Sequence, residues 1–249
     1  MKIGKLALLV IAVILPVIIG AKPPDVREIL AKQDDLWRGT SSKGKITMNV
    51  KTANWKRSLT MDVYSEGKDY SLVKLLQPLK EQGTATLKIH EEIYNYLPKT
   101  DRTIKLTSAM MMGSWMGSHF NNDDLVKESR LSDDYNPKIT FEGKRDSQDI
   151  IEITLTPKPD APVVWGKIIT TVRASDWQPI KNTYYDEDGK VIRILTCSDY
   201  RTISGRLLPT RLTMTPLDKP GEYTEVIYDD LTFDVQYKKG FFSIAELRR

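Results

Sequence analysis

The feature that most constrains the fold of this chain is an alternation of apolar and polar residues with a period of two. Residues 46–50, 59–63 and 85–89 each place an apolar side chain at every second position. Side chains of a β-strand point alternately to the two faces of a sheet, so each segment predicts a half-buried antiparallel strand. Similar segments follow, and the last two predict separate strands at 222–229 and 231–235. The alternation therefore predicts a mainly β protein.

Two segments depart from this alternation and are candidates to cover the sheet. Asp25 is followed three residues later by Glu28, the spacing of a capping box, so a helix is predicted to begin there. Residues 107–125 lack strand alternation. A sheet of about ten or more strands tends to curl or split into layers, and its concave face needs cover. We therefore predict one curved antiparallel sheet, with an N-terminal helix and a central helical or loop lid.

The N-terminus has the pattern of an export signal. Lys2 and Lys5 precede the apolar run 6–19, and Gly20 and Ala21 supply small residues at a cleavage site. The apolar run is shorter than the roughly 20 residues of a membrane-spanning helix, which argues against a retained anchor. The sequence thus predicts a cleavable signal peptide at 1–21, a mature domain at 22–249 and export as a soluble protein.

Composition excludes several classes of function. The formal net charge is +4, with 37 Lys and Arg interspersed among 33 Asp and Glu, so no basic stripe for nucleic acid is present. Cys197 is the single cysteine, which rules out an intrachain disulfide. Because no cysteine stands directly after the predicted cleavage site, a lipid anchor is not expected. Cys197 lies in an apolar run at 191–197, where a buried, inert thiol is expected.

A hydrolytic site is not supported by the spacing of its candidate residues. A catalytic triad would combine Ser114 or Ser118 with His119 and either Asp123 or Asp124. The serine at 114 stands one place too early for the G-x-S-x-G turn of hydrolases. The adjacent serine and histidine at 118–119 would point apart in an extended backbone. No enzyme activity is therefore predicted.

Metal and cofactor sites are also not indicated. His119 with the aspartates at 123–124, or His90 with the glutamates at 91–92, does not match the ligand spacings of zinc sites. The chain contains neither a G-x-G-x-x-G motif nor a P-loop. No cofactor and no metal are expected.

The segment 110–120 is rich in methionine and interrupted by Gly113 and Gly117. Methionine side chains are flexible and polarizable, and they suit apolar surfaces that adapt to different partners. In a chain with so few catalytic groups, this segment indicates the handling of a hydrophobic ligand. The two glycines would permit hinge motion of a lid.

Scattered motifs along the mature chain resemble those of the periplasmic outer-membrane lipoprotein-sorting proteins, the LolA/LolB-like carriers, and especially the branch associated with ABC-type export systems. They include Pro78 with Gly83-Thr84, Tyr96-Leu97-Pro98 with Arg102, Gly117-Ser118-His119-Phe120 through Asp124-Leu125, Trp177-Gln178-Pro179, the turn 185–189, Gly205-Arg206 with Pro209, and Phe241-Phe242 through Leu247-Arg248. One position departs from the pattern, since His119 stands where an aspartate is expected.

The resemblance implies an unclosed antiparallel β-barrel whose apolar concave face is covered by helices and loops. It further implies a periplasmic carrier that binds lipid or lipoprotein acyl chains and transfers them between envelope membranes, with transient membrane contact and an inner-membrane ABC-type transporter as partner. The alternative is an accessory or interaction subunit of an envelope transporter, with the same sheet around a filled core. A hydrolase that uses His119 is the third hypothesis.

Inward strand positions and lid positions are the predicted ligand-binding residues. They are chosen from alternation and composition, because lining positions in such carriers follow shape and not an invariant motif. The set is Met48, Val50, Leu59, Met61, Leu87, Ile89, Met110, Met112, Trp115, Met116 and Phe120.

Overall fold

The computed structural model of the protein describes residues 25–127, 131–161 and 163–249, and the predicted signal peptide at 1–21 lies outside them. The helices of this part of the chain are α1 (Val26–Asp35), α2 (Asp124–Lys127), α3 (Leu131–Asp134) and α4 (Ile244–Leu247). The strands are β1 (Ser41–Lys51), β2 (Lys56–Glu66), β3 (Tyr70–Gln77), β4 (Ala85–Ile89), β5 (Glu92–Leu97), β6 (Arg102–Lys105), β7 (Tyr135–Arg145), β8 (Gln148–Pro157), β9 (Lys167–Arg173), β10 (Pro179–Tyr185), β11 (Val191–Ile203), β12 (Arg206–Pro216) and β13 (Tyr223–Phe233).

All thirteen strands form one sheet in the order β6-β5-β4-β3-β2-β1-β13-β12-β11-β10-β9-β8-β7. Every neighbouring pair is antiparallel. The first and last strands in this order, β6 and β7, are the two edges, so the sheet is not closed. The prediction of a mainly β fold with one curved, unclosed antiparallel sheet is confirmed.

The prediction of two strands at 222–229 and 231–235 is wrong, because both segments belong to β13. The register between β1 and β13 shifts at Lys45/Ile46, which pair with Asp230 and Tyr228. Asp229 is the extra residue of a bulge, and its carboxylate accepts a hydrogen bond from Thr47 Oγ1 at 2.8 Å. A bulge reverses the alternation of the strand that carries it. The sequence pattern therefore changes phase where the strand continues.

The helix predicted from Asp25 is confirmed as α1. The Asp25 side chain accepts a hydrogen bond from the Arg27 backbone N–H at 2.9 Å and caps the helix start. Ile29 and Leu30 are buried against the sheet. They share a cluster with residues of β1 to β3 and of β8 to β13, so α1 covers what we call the inner face of the sheet.

A second cluster lies on the opposite, outer face. Leu72 and Leu87 are buried there under the C-terminal residues, which include Phe241 and Leu247. The Tyr237 and Phe241 rings stack with centroids 4.7 Å apart. The C-terminal segment thus covers the outer face of β3 and β4, as α1 covers the inner face.

Among the described residues, no helix has both the length and the apolar character needed to cross a membrane.

Candidate ligand-binding site

A cavity of about 210 Å³ lies between α1 and the inner face. It is bounded by α1 and the residues that follow it, by β1 to β3, by α3 and by β9 to β13. Its lining residues are Leu30, Gln33, Asp34, Trp37, Arg38, Ser42, Val63, Tyr64, Ser65, Ser71, Val73, Leu131, Thr170, Pro179, Asn182, Leu195, Cys197, Leu212, Tyr228 and Leu231.

Polar contacts hold the cover over this cavity, among them an ion pair between Asp35 and Arg206 at 2.9 Å. Trp37 Nε1 donates a hydrogen bond to the Pro209 carbonyl at 3.1 Å, and Gln33 Nε2 donates to the Trp177 carbonyl. The Lys32 ammonium lies over the Trp177 ring, 5.5 Å from its centroid. These contacts join α1 and the residues that follow it to the β9–β10 turn and to β12, and they can be exchanged for water if the helix moves.

Asp34 is the acidic group on this cavity. Burial raises the pKa of its carboxyl, while Arg38 and Lys68 oppose the shift. The Lys68 Nζ atom lies 3.5 Å from Asp34 Oδ2. Because burial is the largest cause, the environment of this carboxyl favours the neutral form relative to water.

The central segment at 107–125 is anchored to the other half of the inner face. The Arg193 guanidinium on β11 forms two hydrogen bonds to Asp124, one of them at 2.9 Å, and it donates to the His119 carbonyl at 3.3 Å. It also lies over the rings of Trp165 and Tyr184, 4.4 Å and 4.5 Å from their centroids. This buried ion pair ties the segment to the sheet.

His119 forms a second anchor. Its ring nitrogens lie 2.8 Å from Thr224 Oγ1 and 3.0 Å from Glu222 Oε2, and its backbone N–H donates to the same threonine oxygen at 2.9 Å. Thr224 is fully buried. The candidate serines point elsewhere, since Ser114 Oγ donates to the Ser118 carbonyl at 2.5 Å. The serine–histidine pairing that a hydrolase needs is not assembled, and His119 fixes the segment to β13.

Two further contacts reach β4 and β2. Trp115 Nε1 donates to Thr86 Oγ1 at 3.2 Å, and Arg57 Nη1 donates to the Met116 carbonyl at 3.3 Å. Met116 has φ +49°, and the following Gly117 has φ +72°, a conformation that glycine adopts without strain. With anchors on four strands, the part of the segment from Trp115 to Asp124 is fixed to the inner face.

The structure places the predicted ligand-binding residues in three locations. Those packed in the inner cluster are Met48, Val50, Leu59, Met61, Trp115, Met116 and Phe120. Leu87 and Ile89 pack in the outer cluster instead, since Thr86 and Lys88 take the other face of β4. Met110 and Met112 are exposed. None of the eleven lines the 210 Å³ cavity, and Phe120 lines a smaller one of about 20 Å³. Ligand contact by these residues stays a prediction.

Sequence reasoning missed the residues that line the cavity beneath α1. The clearest available signal was in β10, where Asn182 lies on the same face as Tyr184, a residue of the inner cluster. A polar residue at an inward position of a strand is unusual and marks a place where a partner is needed.

Within the described ranges, no group of three or more His, Cys, Asp or Glu side chains is placed to hold a metal ion.

Solved structures with the same fold come from three bacteria. A DUF1329 family protein from Desulfovibrio piger has a TM-score of 0.78 at 20% identity, covering 88% of this chain and 96% of that one. A putative outer membrane lipoprotein-sorting protein domain from Vibrio parahaemolyticus has a TM-score of 0.74 at 22% identity, covering 88% and 97%. A LolA superfamily protein from Nitrosomonas europaea has a TM-score of 0.75 at 21% identity, covering 89% and 98%. The resemblance to lipoprotein-sorting proteins is confirmed for the fold.

Comparison with curated proteins gives no match. A family model described as "Uncharacterized protein" matches residues 67–249. Because this match covers well over half of the chain, the protein belongs to that family, and it has the LolA-like fold.

Proposed function

We propose that this protein is a non-enzymatic carrier that binds lipid or lipoprotein acyl chains beneath α1 and transfers them between membranes of the cell envelope. The observation that carries the proposal is the cavity between α1 and the inner face, which the protein's own side chains leave unfilled. The LolA-like fold supports it, because the similar Vibrio parahaemolyticus domain is described as a putative lipoprotein-sorting protein.

The size of the cavity agrees with a carrier whose cover moves. An apolar cavity of about 150 Å³ can hold benzene, so about 210 Å³ accepts a short alkyl stretch. Each further buried methylene contributes about 0.8 kcal/mol. A longer chain therefore displaces α1 when the methylenes it buries contribute more free energy than exposure of Ile29 and Leu30 costs, and return of the helix would drive release. In this proposal the mobile cover is α1, because the central segment is anchored on four strands.

The cellular setting belongs to the same proposal. The predicted signal peptide at 1–21 would deliver the domain at 22–249 to the periplasm, where an inner-membrane ABC-type transporter would supply the cargo. Cargo delivery requires transient membrane contact.

A rim of exposed apolar side chains supports a second candidate, an accessory or interaction subunit of an envelope transporter. The β1–β2, β3–β4 and β12–β13 turns lie at one end of the sheet, because Lys51 pairs with Tyr223. Trp55, Leu79 and Leu217 are exposed at these turns, and Leu79 has 70% of its surface accessible. Exposed apolar tips of this kind mark contact with a membrane or a protein. This rim lies at the end away from the α1 cavity, so it does not depend on cargo binding.

Mass spectrometry of the native protein separates the two candidates. We expect acyl-chain material to copurify from a membrane-containing host and, after stripping, a fluorescent fatty acid to bind saturably and compete with that material. A protein that carries no lipid and takes up none, yet still binds membranes or a transporter through its rim, would contradict the carrier and support the interaction subunit.

A further inference from the structure

Two polar side chains stand side by side in the wall of the cavity. Thr170 on β9 and Asn182 on β10 are directly paired across the two strands. Both line the cavity beneath α1. Their neighbours on the same inner face are apolar, since Thr170 pairs with Ile153 on β8 and Asn182 pairs with Leu195 on β11. The pair thus forms a polar spot in an apolar wall.

The oxygens of this pair lack partners among the described residues. Thr170 Oγ1 and Asn182 Oδ1 are both buried without a hydrogen bond, and Thr170 is only 3% exposed. Two serines on the same cavity are paired with each other: Ser42 Oγ lies 2.7 Å from Ser65 Oγ and 3.1 Å from the Trp37 carbonyl. A buried polar group without a partner costs free energy, and such groups in native proteins require an explanation.

We propose that Thr170 and Asn182 form a polar subsite that binds a hydrogen-bond donor carried by an otherwise apolar ligand. The donor is an O–H or N–H group close to the acyl chain, as in a hydroxylated acyl chain or an amide-linked one. Asn182 Oδ1 accepts this hydrogen bond, and Thr170 Oγ1 accepts or donates a second. This inference rests on the carrier function and adds the chemistry that selects the cargo.

The subsite explains how a largely apolar cavity discriminates between chains. A plain alkyl chain leaves both oxygens unpaired, whereas a chain with a donor at this depth satisfies them. In the structure both oxygens are covered by neighbouring atoms, so in this proposal those atoms shift when the ligand enters. Selection therefore accompanies loading, because the hydrogen bond forms only when those atoms have shifted.

Binding of three probes to the purified, delipidated protein tests the proposal: myristate, β-hydroxymyristate and N-myristoylglycine. We expect at least one donor-bearing probe to bind about 3- to 10-fold more tightly than myristate, the effect of one net hydrogen bond. β-Hydroxymyristate supplies a hydroxyl donor and N-myristoylglycine supplies an amide N–H donor, so the two probes show which donor the subsite prefers. Thr170→Val and Asn182→Leu should reduce the ratio of affinities to about one.

Thr171→Val is the matched control. Thr171 is also buried, at 2% exposure, and its hydroxyl also lacks a partner among described residues, but it points to the other face of β9 and does not line the cavity. This variant should keep the selectivity of the wild type. Two results would refute the subsite but leave the carrier function standing. One is equal affinity for all three probes, and the other is unchanged selectivity in Thr170→Val and Asn182→Leu. Failure of all three probes to bind would overturn the carrier function as well.

Discussion

Replacement of Asp124 by alanine is expected to lower the free energy of unfolding by about 3–5 kcal/mol, because it removes the carboxylate that forms two hydrogen bonds to the buried Arg193 guanidinium. Arg193 is only 5% exposed. Asp124 Oδ2 also accepts a hydrogen bond from the Asn121 backbone at 2.9 Å, which the variant loses. Urea unfolding followed by circular dichroism measures the change, with the slope of the transition checked for two-state behaviour.

Two variants serve as controls for the stability change in Asp124→Ala. Arg201→Ala removes an exposed ion pair with Asp199, for which a loss of less than about 1 kcal/mol is expected. Arg193→Met combined with Asp124→Leu should recover most of the stability, since a buried ion pair is often replaceable by apolar side chains of similar volume. A loss for Asp124→Ala no larger than that for Arg201→Ala would show that the central segment is not held by this pair.

Replacement of Val73 by phenylalanine is expected to weaken acyl-chain binding by about tenfold or more, because the aromatic ring occupies the space that the ligand needs. Val73 lies on β3 opposite Val63, and both line the cavity beneath α1. The ring enters an existing cavity of about 210 Å³, so the unfolding free energy should change by less than about 1.5 kcal/mol. Titration with a fluorescent fatty acid and urea unfolding measure the two effects.

Val226→Phe is the matched control for that variant. Val226 belongs to the same inner cluster, between Met48 and Leu212, but it does not line the cavity. The same enlargement there overpacks the core and should cost about 1–3 kcal/mol, while the folded molecules still bind ligand. Equal loss of binding in both variants would mean that the cavity at Val73 is not the binding site.

Most of the fold follows from local patterns, because a half-buried strand and a capped helix each leave a signal in adjacent residues. The alternation predicted the strands, and Asp25 predicted the start of α1. The failure at β13 has a local cause, since one bulged residue, Asp229, reverses the phase of the pattern. The same limit applies to Leu87 and Ile89. Alternation shows which residues of a strand share a face, but it does not show which face of the sheet is the inner one.

The site was less accessible to sequence reasoning, because a cavity is a space that no segment encodes alone. The methionine-rich segment suggested a lid, yet its anchors at His119 and Asp124 depend on Thr224 and Arg193, which lie far away in the chain. The cavity instead lies under α1, whose sequence shows an ordinary amphipathic helix. The LolA-like resemblance supplied the class of fold and the idea of an apolar ligand, but not its position.

Alkylation of Cys197 tests the central claim most directly, that an acyl chain binds beneath α1. Cys197 is the single cysteine of the chain and lines the cavity at 8% exposure. Its reaction with N-ethylmaleimide can be followed by intact-protein mass spectrometry, with a urea-unfolded sample as the fully reactive control. A fatty acid at ten times its dissociation constant should slow the reaction about tenfold, because only unoccupied molecules then react. An unchanged rate at saturating fatty acid, with binding confirmed in the same sample, would place the acyl chain elsewhere and contradict this account.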